Sequence, residues 1–113
     1  MSISSEAPKS IGLCAASYGA EQVPGLVLVY AHGFHMTSGY KVFFERSPID
    51  VYPPEFVLWH IKPSGVVLEV ITPFTEMTEF RADKKVAKVV VHDSNGRHEV
   101  PVEQVPDTAL RHS

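Results

Sequence analysis

The sequence predicts an all-β domain, either an antiparallel β-sandwich or a flattened small barrel of about seven to eight strands. Nine prolines are spread along the chain and interrupt nearly every stretch in which a helix could grow. Valine is the commonest apolar residue, and its branched side chain suits a pleated surface. Short valine-rich runs that end at proline and glycine are typical of strands joined by turns.

Three strands are predicted in the first part of the chain. "IGLCAASY" (11–18) is the first of them. "GLVLVYAHG" (25–33) is apolar at consecutive positions, so we expect a central strand that is covered on both faces. "YKVFFER" (40–46) follows after a corner, where Gly39 allows the chain to re-enter the sheet.

Four further strands are predicted: "EFVLWHI" (55–61), "GVVLEVIT" (65–72), "VAKVVVHD" (86–93) and "RHEVPVEQV" (97–105). The first of these is again apolar on both faces. The last two flank Ser94, Asn95 and Gly96, and Asn-Gly is a strong hairpin signal. Because Pro101 has no N–H to donate, we expect the last strand at an edge of the sheet.

The segment "FTEMTEFRADKK" (74–85) fits both a helix and a strand. Phe74, Met77 and Phe80 recur at helical spacing. The branched threonines and the lack of a good capping box favour a strand instead. We therefore predict a strand over residues 75–81.

Length and composition predict a single domain over residues 10–105, with flexible tails at 1–9 and 106–113. The chain has 113 residues, of which 44% are hydrophobic and 20% are charged, as in globular proteins. A net charge of -3 predicts no nucleic-acid partner. The polar start, the single cysteine and the lack of a long apolar run predict a bacterial cytoplasmic protein that does not bind membranes.

The histidines suggest a metal site. His32 and His35 form an H-x-x-H pair, and His60 ends a predicted strand. Zinc takes three or four ligands, so His32, His35 and His60 are candidates for zinc or another transition metal. Glu45 or Glu55 could complete such a site as a carboxylate ligand, and Glu45 or Glu69 could act as a base. The alternative is that the histidines are ordinary half-buried residues and that the protein has no cofactor.

Cys14 lies among small apolar residues in "GLCAASYG". A cysteine nucleophile needs a base within hydrogen-bond reach and a lowered pKa, neither of which the sequence can place. Cys14 is therefore interpreted as a small buried apolar residue rather than a catalytic one.

The aromatic residues concentrate between residues 30 and 59. Two strands of this region are apolar on both faces, whereas a two-layer domain has one inner face for each sheet. A partner protein or a second copy of the chain would cover the other face. The candidate contact residues are Tyr40, Phe43, Tyr52, Pro53 and Trp59.

Two short motifs carry a family resemblance. "GFHMTSGY" (33–40) places a glycine and then Thr-Ser-Gly-Tyr before a strand, and "TPF" (72–74) forms a Thr-Pro-aromatic element. The pattern resembles the protease-complex-associated polypeptide C-terminal domain and related small bacterial inhibitors of metalloproteases, with Ser38 in place of a glycine. The resemblance implies an antiparallel β-sandwich that works by protein contact and has no catalytic residues.

These observations favour a non-enzymatic, self-associating protein-interaction module, most simply a homodimer. The first alternative is a metal- or small-molecule-binding β-barrel that uses the three histidines and could be an enzyme. Protease inhibition is the second alternative.

Overall fold

The structure is a computed structural model that describes residues 10–49 and 51–106. Eight strands form it: β1 (Ile11–Leu13), β2 (Ser17–Val23), β3 (Leu26–His35), β4 (Lys41–Arg46), β5 (Glu55–Ile61), β6 (Thr72–Arg81), β7 (Lys88–Asp93) and β8 (Gly96–Gln104). The predicted all-β class is therefore confirmed. The predicted tails lie outside the described residues, except for residue 106. The described part of the chain includes no helix with the length and apolarity of a membrane span.

The strands form one curled sheet in the order β1-β5-β7-β8-β2-β3-β6, and β4 pairs with the other side of β5. β1 and β7 share one side of β5, because β1 pairs with residues 59–61 and β7 with residues 55–57. The sheet is mixed rather than purely antiparallel, since β2 pairs with β8, and β5 with β7, in parallel. The curl brings β4 close to β6, with the Arg46 guanidinium 4.7 Å from the Phe80 ring.

The core lies on the inner, concave face of the curled sheet and is rich in valine. Alternate residues of β3 are buried, as a period of two requires, and the same holds for β5. The largest fully buried side chains on this face are Phe56, Leu58, Val27, Val29, Val89, Val91 and Cys14, and Val90 is fully buried on the opposite face of β7. The outer sides of β3 and β5 are only half-buried over Leu26–Tyr30 and Val57–Ile61, so the expected cover on both faces is partial.

The ambiguous segment is a strand. β6 runs over Thr72–Arg81 and pairs along its whole length with β3. Phe74 and Phe80 face the core, and Met77 lies on the outer face. The prediction of a strand over 75–81 is therefore confirmed. Pairing with β3 outweighs the helical spacing of the apolar residues.

Two predicted strands are wrong in part. The segment 65–72 is not a strand before Thr72: Leu68 bonds Ser38 through both its N–H and its C=O, instead of a neighbouring strand, and the Val66 side chain is 100% exposed. The segment 11–18 is split between β1 and β2 by a break at residues 14–16. High β-propensity alone does not make a strand, because a strand also needs a pairing partner.

The final hairpin forms, but in a different place from the prediction. β8 lies between β7 and β2 rather than at an edge. Pro101 is tolerated there because the parallel pairing with β2 begins only at Val102. The two loop residues are Ser94 and Asn95, and Gly96 adopts the positive φ of 115°.

Candidate metal centre

Three potential metal ligands meet at one end of the inner face. The Cys14 Sγ atom lies 3.9 Å from His35 Nε2, which lies 2.9 Å from His60 Nδ1. The three donor atoms are all within 4.8 Å of one another. Cys14 is fully buried, and the two histidines are half-buried. The cluster combines a thiol with two imidazoles, which are the ligands that zinc and copper prefer.

Strand alternation explains how the two histidines reach this place. His35 is the last residue of β3 and lies on the same face as the buried Ala31. His60 lies on the face of β5 that also carries Phe56 and Leu58. Both histidines therefore continue rows of core residues toward the open end of the curled sheet.

Backbone hydrogen bonds fix Cys14 between two strands. Its N–H donates to the Leu58 carbonyl at 3.1 Å, and its carbonyl accepts from the Ser94 N–H at 2.8 Å. Leu58 precedes His60 by two residues on β5, and Ser94 begins the turn after β7. The thiol is therefore held in register with His60 by the chain itself.

Gly33 permits the close approach of β3 to the Cys14 segment. A Cβ atom at residue 33 would lie 2.6 Å from the Phe74 ring and 3.0 Å from the Ala15 carbonyl oxygen. Both distances are shorter than ordinary van der Waals contacts. A larger residue here would push the segment after Cys14 away from His35.

Aromatic rings hold the two imidazoles. The Tyr40 ring stacks on His35 with a centroid distance of 4.0 Å and an interplanar angle of 3°. Phe74 packs against His35 at 5.1 Å, and Tyr40 lies 4.9 Å from His60. Such packing limits ring rotation, so the donor nitrogens are positioned before any ion binds.

The electrostatics of the cluster favour a metal over nucleophilic catalysis. Burial lowers the pKa of His35, which the neighbouring His60 lowers further, and burial also lowers the pKa of His60. Both imidazoles are therefore neutral at neutral pH, and the 2.9 Å hydrogen bond between them places a proton on one of the two facing nitrogens. A metal ion would replace this hydrogen bond once that proton moves to the other nitrogen of its ring. Burial raises the pKa of the Cys14 thiol, whereas a nucleophilic cysteine requires a lowered pKa.

The cluster opens to solvent through a cleft of about 350 Å³. Around the three ligands, the cleft is lined by Leu13, Ala15, Phe34, Met36, Thr37, Tyr40 and Ser94. An ion held by the three ligands would therefore keep a coordination position that faces the cleft.

The structure brings together two of the three predicted histidine ligands and separates the third. His32 lies on the opposite face of β3, where its Nδ1 atom is 3.2 Å from Thr75 Oγ1. The prediction of a shared site needed a turn between His32 and His35, but β3 continues through both. Residues three apart on a strand point to opposite faces.

The candidate carboxylates have other partners or lie elsewhere. Glu45 accepts a hydrogen bond from the Trp59 indole at 2.9 Å, and Glu55 lies 3.0 Å from His92. Glu69 is exposed in the segment that replaces a predicted strand. Cys14 is the ligand that sequence reasoning missed, because the pairing of β1 with β5 leaves no local signal in the sequence.

The predicted contact residues are divided between surfaces. Phe43 and Trp59 are direct cross-strand partners on the outer face of β4 and β5. Tyr40 stacks on His35 beside the cleft. Tyr52 is exposed in the loop before β5 and is joined to Pro53 by a cis peptide bond.

No family model matches the chain, and no curated protein or solved structure is significantly similar to it. The resemblance to metalloprotease inhibitors therefore stays a prediction, as does protease inhibition. In the structure, the Thr72-Pro73-Phe74 element begins β6.

Proposed function

We propose that the protein binds one transition-metal ion between Cys14, His35 and His60. The observation that carries the proposal is the convergence of the three donor atoms within 4.8 Å. The ligands come from three segments that are distant in sequence, so their meeting is a property of the fold. Zinc is the reference ion for such a set, because it accepts thiolate and imidazole ligands.

The donor separations are close to those of a metal complex. Tetrahedral zinc with ordinary bond lengths places two imidazole nitrogens about 3.3 Å apart, and a thiolate sulfur and a nitrogen about 3.6 Å apart. The present separations are 2.9 Å between the nitrogens and 3.9 Å between Sγ and Nε2. The third pair, Cys14 Sγ and His60 Nδ1, lies within 4.8 Å, so side-chain rotations that draw this sulfur and nitrogen toward about 3.6 Å would complete the geometry.

Metal binding would change the ionisation of the cluster. Because the thiol is protonated when no metal is bound, an ion would displace this proton and bind the thiolate. The two imidazoles would stay neutral, with the proton between His35 Nε2 and His60 Nδ1 moving to the other nitrogen of its ring. We place this function in the cytoplasm, where reducing conditions keep the Cys14 thiol available.

Titration with cobalt and zinc tests the proposal. Protein purified without a metal column and treated with chelator is expected to bind one Co²⁺, with the visible bands of tetrahedral cobalt and a thiolate charge-transfer band. Zinc should displace the cobalt. Cys14→Ala and His60→Ala should each weaken zinc binding about a hundredfold or more, since each ligand contributes several kcal/mol.

His32→Ala is the matched control, because His32 lies on the opposite face of β3. Its zinc affinity should equal that of the wild type. Wild-type affinity in both Cys14→Ala and His60→Ala, or a wild type that binds neither ion, would overturn the proposal. Circular dichroism of each variant checks that the sheet has formed.

Self-association is a second candidate function, favoured by one apolar row on the outer face. Leu13, Trp59 and Phe43 are register partners across β1, β5 and β4. Leu13 is 41% exposed, and the two aromatic side chains are half-buried. Aromatic anchors of this kind carry most of the affinity in protein interfaces. We propose that a second copy of the chain packs against this row.

Light scattering over a range of concentrations tests self-association. The wild type should approach twice the chain mass of 12.5 kDa at high concentration. Trp59→Ala should remain monomeric, whereas Met77→Ala, a change on the outer face of β6, should behave as the wild type. A wild type that stays monomeric at every concentration would rule out this function.

A further inference from the structure

Met36 lies at the mouth of the candidate metal centre. It follows His35 directly, in the turn after β3. Its apolar side chain is 65% exposed and lines the same cleft as Cys14, His35 and His60. A methionine with three rotatable side-chain bonds can turn its sulfur toward an ion in that cleft.

The cleft offers no second negative charge to balance a doubly charged ion. Among the described residues that line it, none carries a carboxylate. A divalent ion bound to one thiolate and two neutral imidazoles would leave one uncompensated positive charge in a half-buried site. A monovalent ion in the same place would give a neutral complex, which avoids the cost of burying a net charge.

We propose that the site selects monovalent copper and that Met36 provides its fourth ligand. This inference rests on the proposed metal-binding function and names its ion. Thiolate and thioether sulfurs are soft ligands that favour Cu(I), and imidazole is compatible with copper. A thioether adds little to the affinity of a site for zinc, so the Met36 sulfur should strengthen the binding of Cu(I) but not that of zinc.

Competition measurements with Met36→Leu test the inference. This change keeps the volume and apolarity of the side chain but removes the sulfur. Cu(I) affinity, measured against a chromogenic Cu(I) chelator without oxygen, should fall about tenfold or more. Zinc affinity, measured against a zinc chelator, should be unchanged.

Met77→Leu is the matched control, since Met77 is 56% exposed on the outer face of β6. It should change neither affinity. X-ray absorption at the copper edge should detect the sulfurs of both Cys14 and Met36 in the wild type, and only the Cys14 sulfur in Met36→Leu.

The outcomes separate this inference from the proposed function. Unchanged Cu(I) affinity in Met36→Leu, or one sulfur neighbour in the wild type, overturns the role of Met36 and leaves the three-ligand site standing. A wild type that binds zinc through Cys14 but prefers it to Cu(I) overturns the choice of ion. Wild-type affinity for both ions in Cys14→Ala and His60→Ala overturns the proposed function itself.

Discussion

Zinc is expected to raise the free energy of unfolding by about 4 kcal/mol when its free concentration is about a thousandfold above the dissociation constant. The reason is mass action, because the three ligands converge only in the folded chain. Cys14, His35 and His60 come from segments that meet through sheet pairing, so the unfolded chain has no comparable site. Thermal unfolding should shift upward by roughly 15–25 °C.

Calorimetry with and without zinc measures this gain, and two variants control it. Cys14→Ala should lose nearly all of the gain, while His32→Ala should retain it. An equal gain in the wild type and in Cys14→Ala would mean that zinc stabilises the protein elsewhere, and would contradict the site.

Asp93→Ala is expected to lower the free energy of unfolding by about 3 kcal/mol. The Asp93 side chain is 3% exposed and has three partners. It accepts a hydrogen bond from the Tyr18 hydroxyl at 2.6 Å and one from the Asn95 N–H at 2.8 Å, and it lies 2.8 Å from His98 Nε2. Without the carboxylate, the Tyr18 hydroxyl and the His98 ring lose their buried partner.

Chemical denaturation measures this loss, with Asp83→Ala as the control. Asp83 is an exposed residue in the loop before β7, and its removal should change stability by less than about 0.5 kcal/mol. A loss below about 1 kcal/mol in Asp93→Ala would show that the network does not hold the turn after β7. That turn also matters for the metal centre, because its Ser94 N–H bonds the Cys14 carbonyl.

The same variant should change the response to acid. Burial alone would raise the pKa of Asp93, but hydrogen bonds from Tyr18, His98 and the Asn95 N–H offset it and hold the pKa below its ordinary value of 3.8. A carboxyl group whose pKa is lower in the folded chain than in the unfolded chain stabilises the fold at any pH above its unfolded-state pKa. This contribution is lost as the pH falls through the folded-state pKa. Asp93→Ala should therefore lose less stability than the wild type between neutral pH and strong acid.

The fold class could be predicted because it depends on local chemistry. Proline interrupts helices, and valine suits pleated strands, wherever they occur in the chain. The partners of each strand could not be predicted in the same way. The segment 65–72 has the composition of a strand but lies outside the sheet before Thr72. Pro101 has no N–H to donate, yet it lies within the sheet, because the pairing of β8 with β2 begins only at the next residue, Val102.

The candidate site could be predicted only in part, for the same reason. The H-x-x-H spacing points to His35, and the place of His60 at the end of an apolar strand points to His60. His32 was grouped with them on the assumption that the chain turns after residue 33, whereas β3 continues to His35 and places His32 on the other face. Cys14 joins the cluster through the register of β1 against β5, which pairs Leu13 with Trp59 and so brings Cys14 near His60.

Anomalous X-ray diffraction from crystals of the zinc-loaded protein would locate the bound ion. We expect one anomalous peak at the zinc edge, about 2.3 Å from Cys14 Sγ and about 2.0–2.1 Å from His35 Nε2 and His60 Nδ1. A peak at His32, His92 or His98 with none between the three ligands would contradict the proposed site.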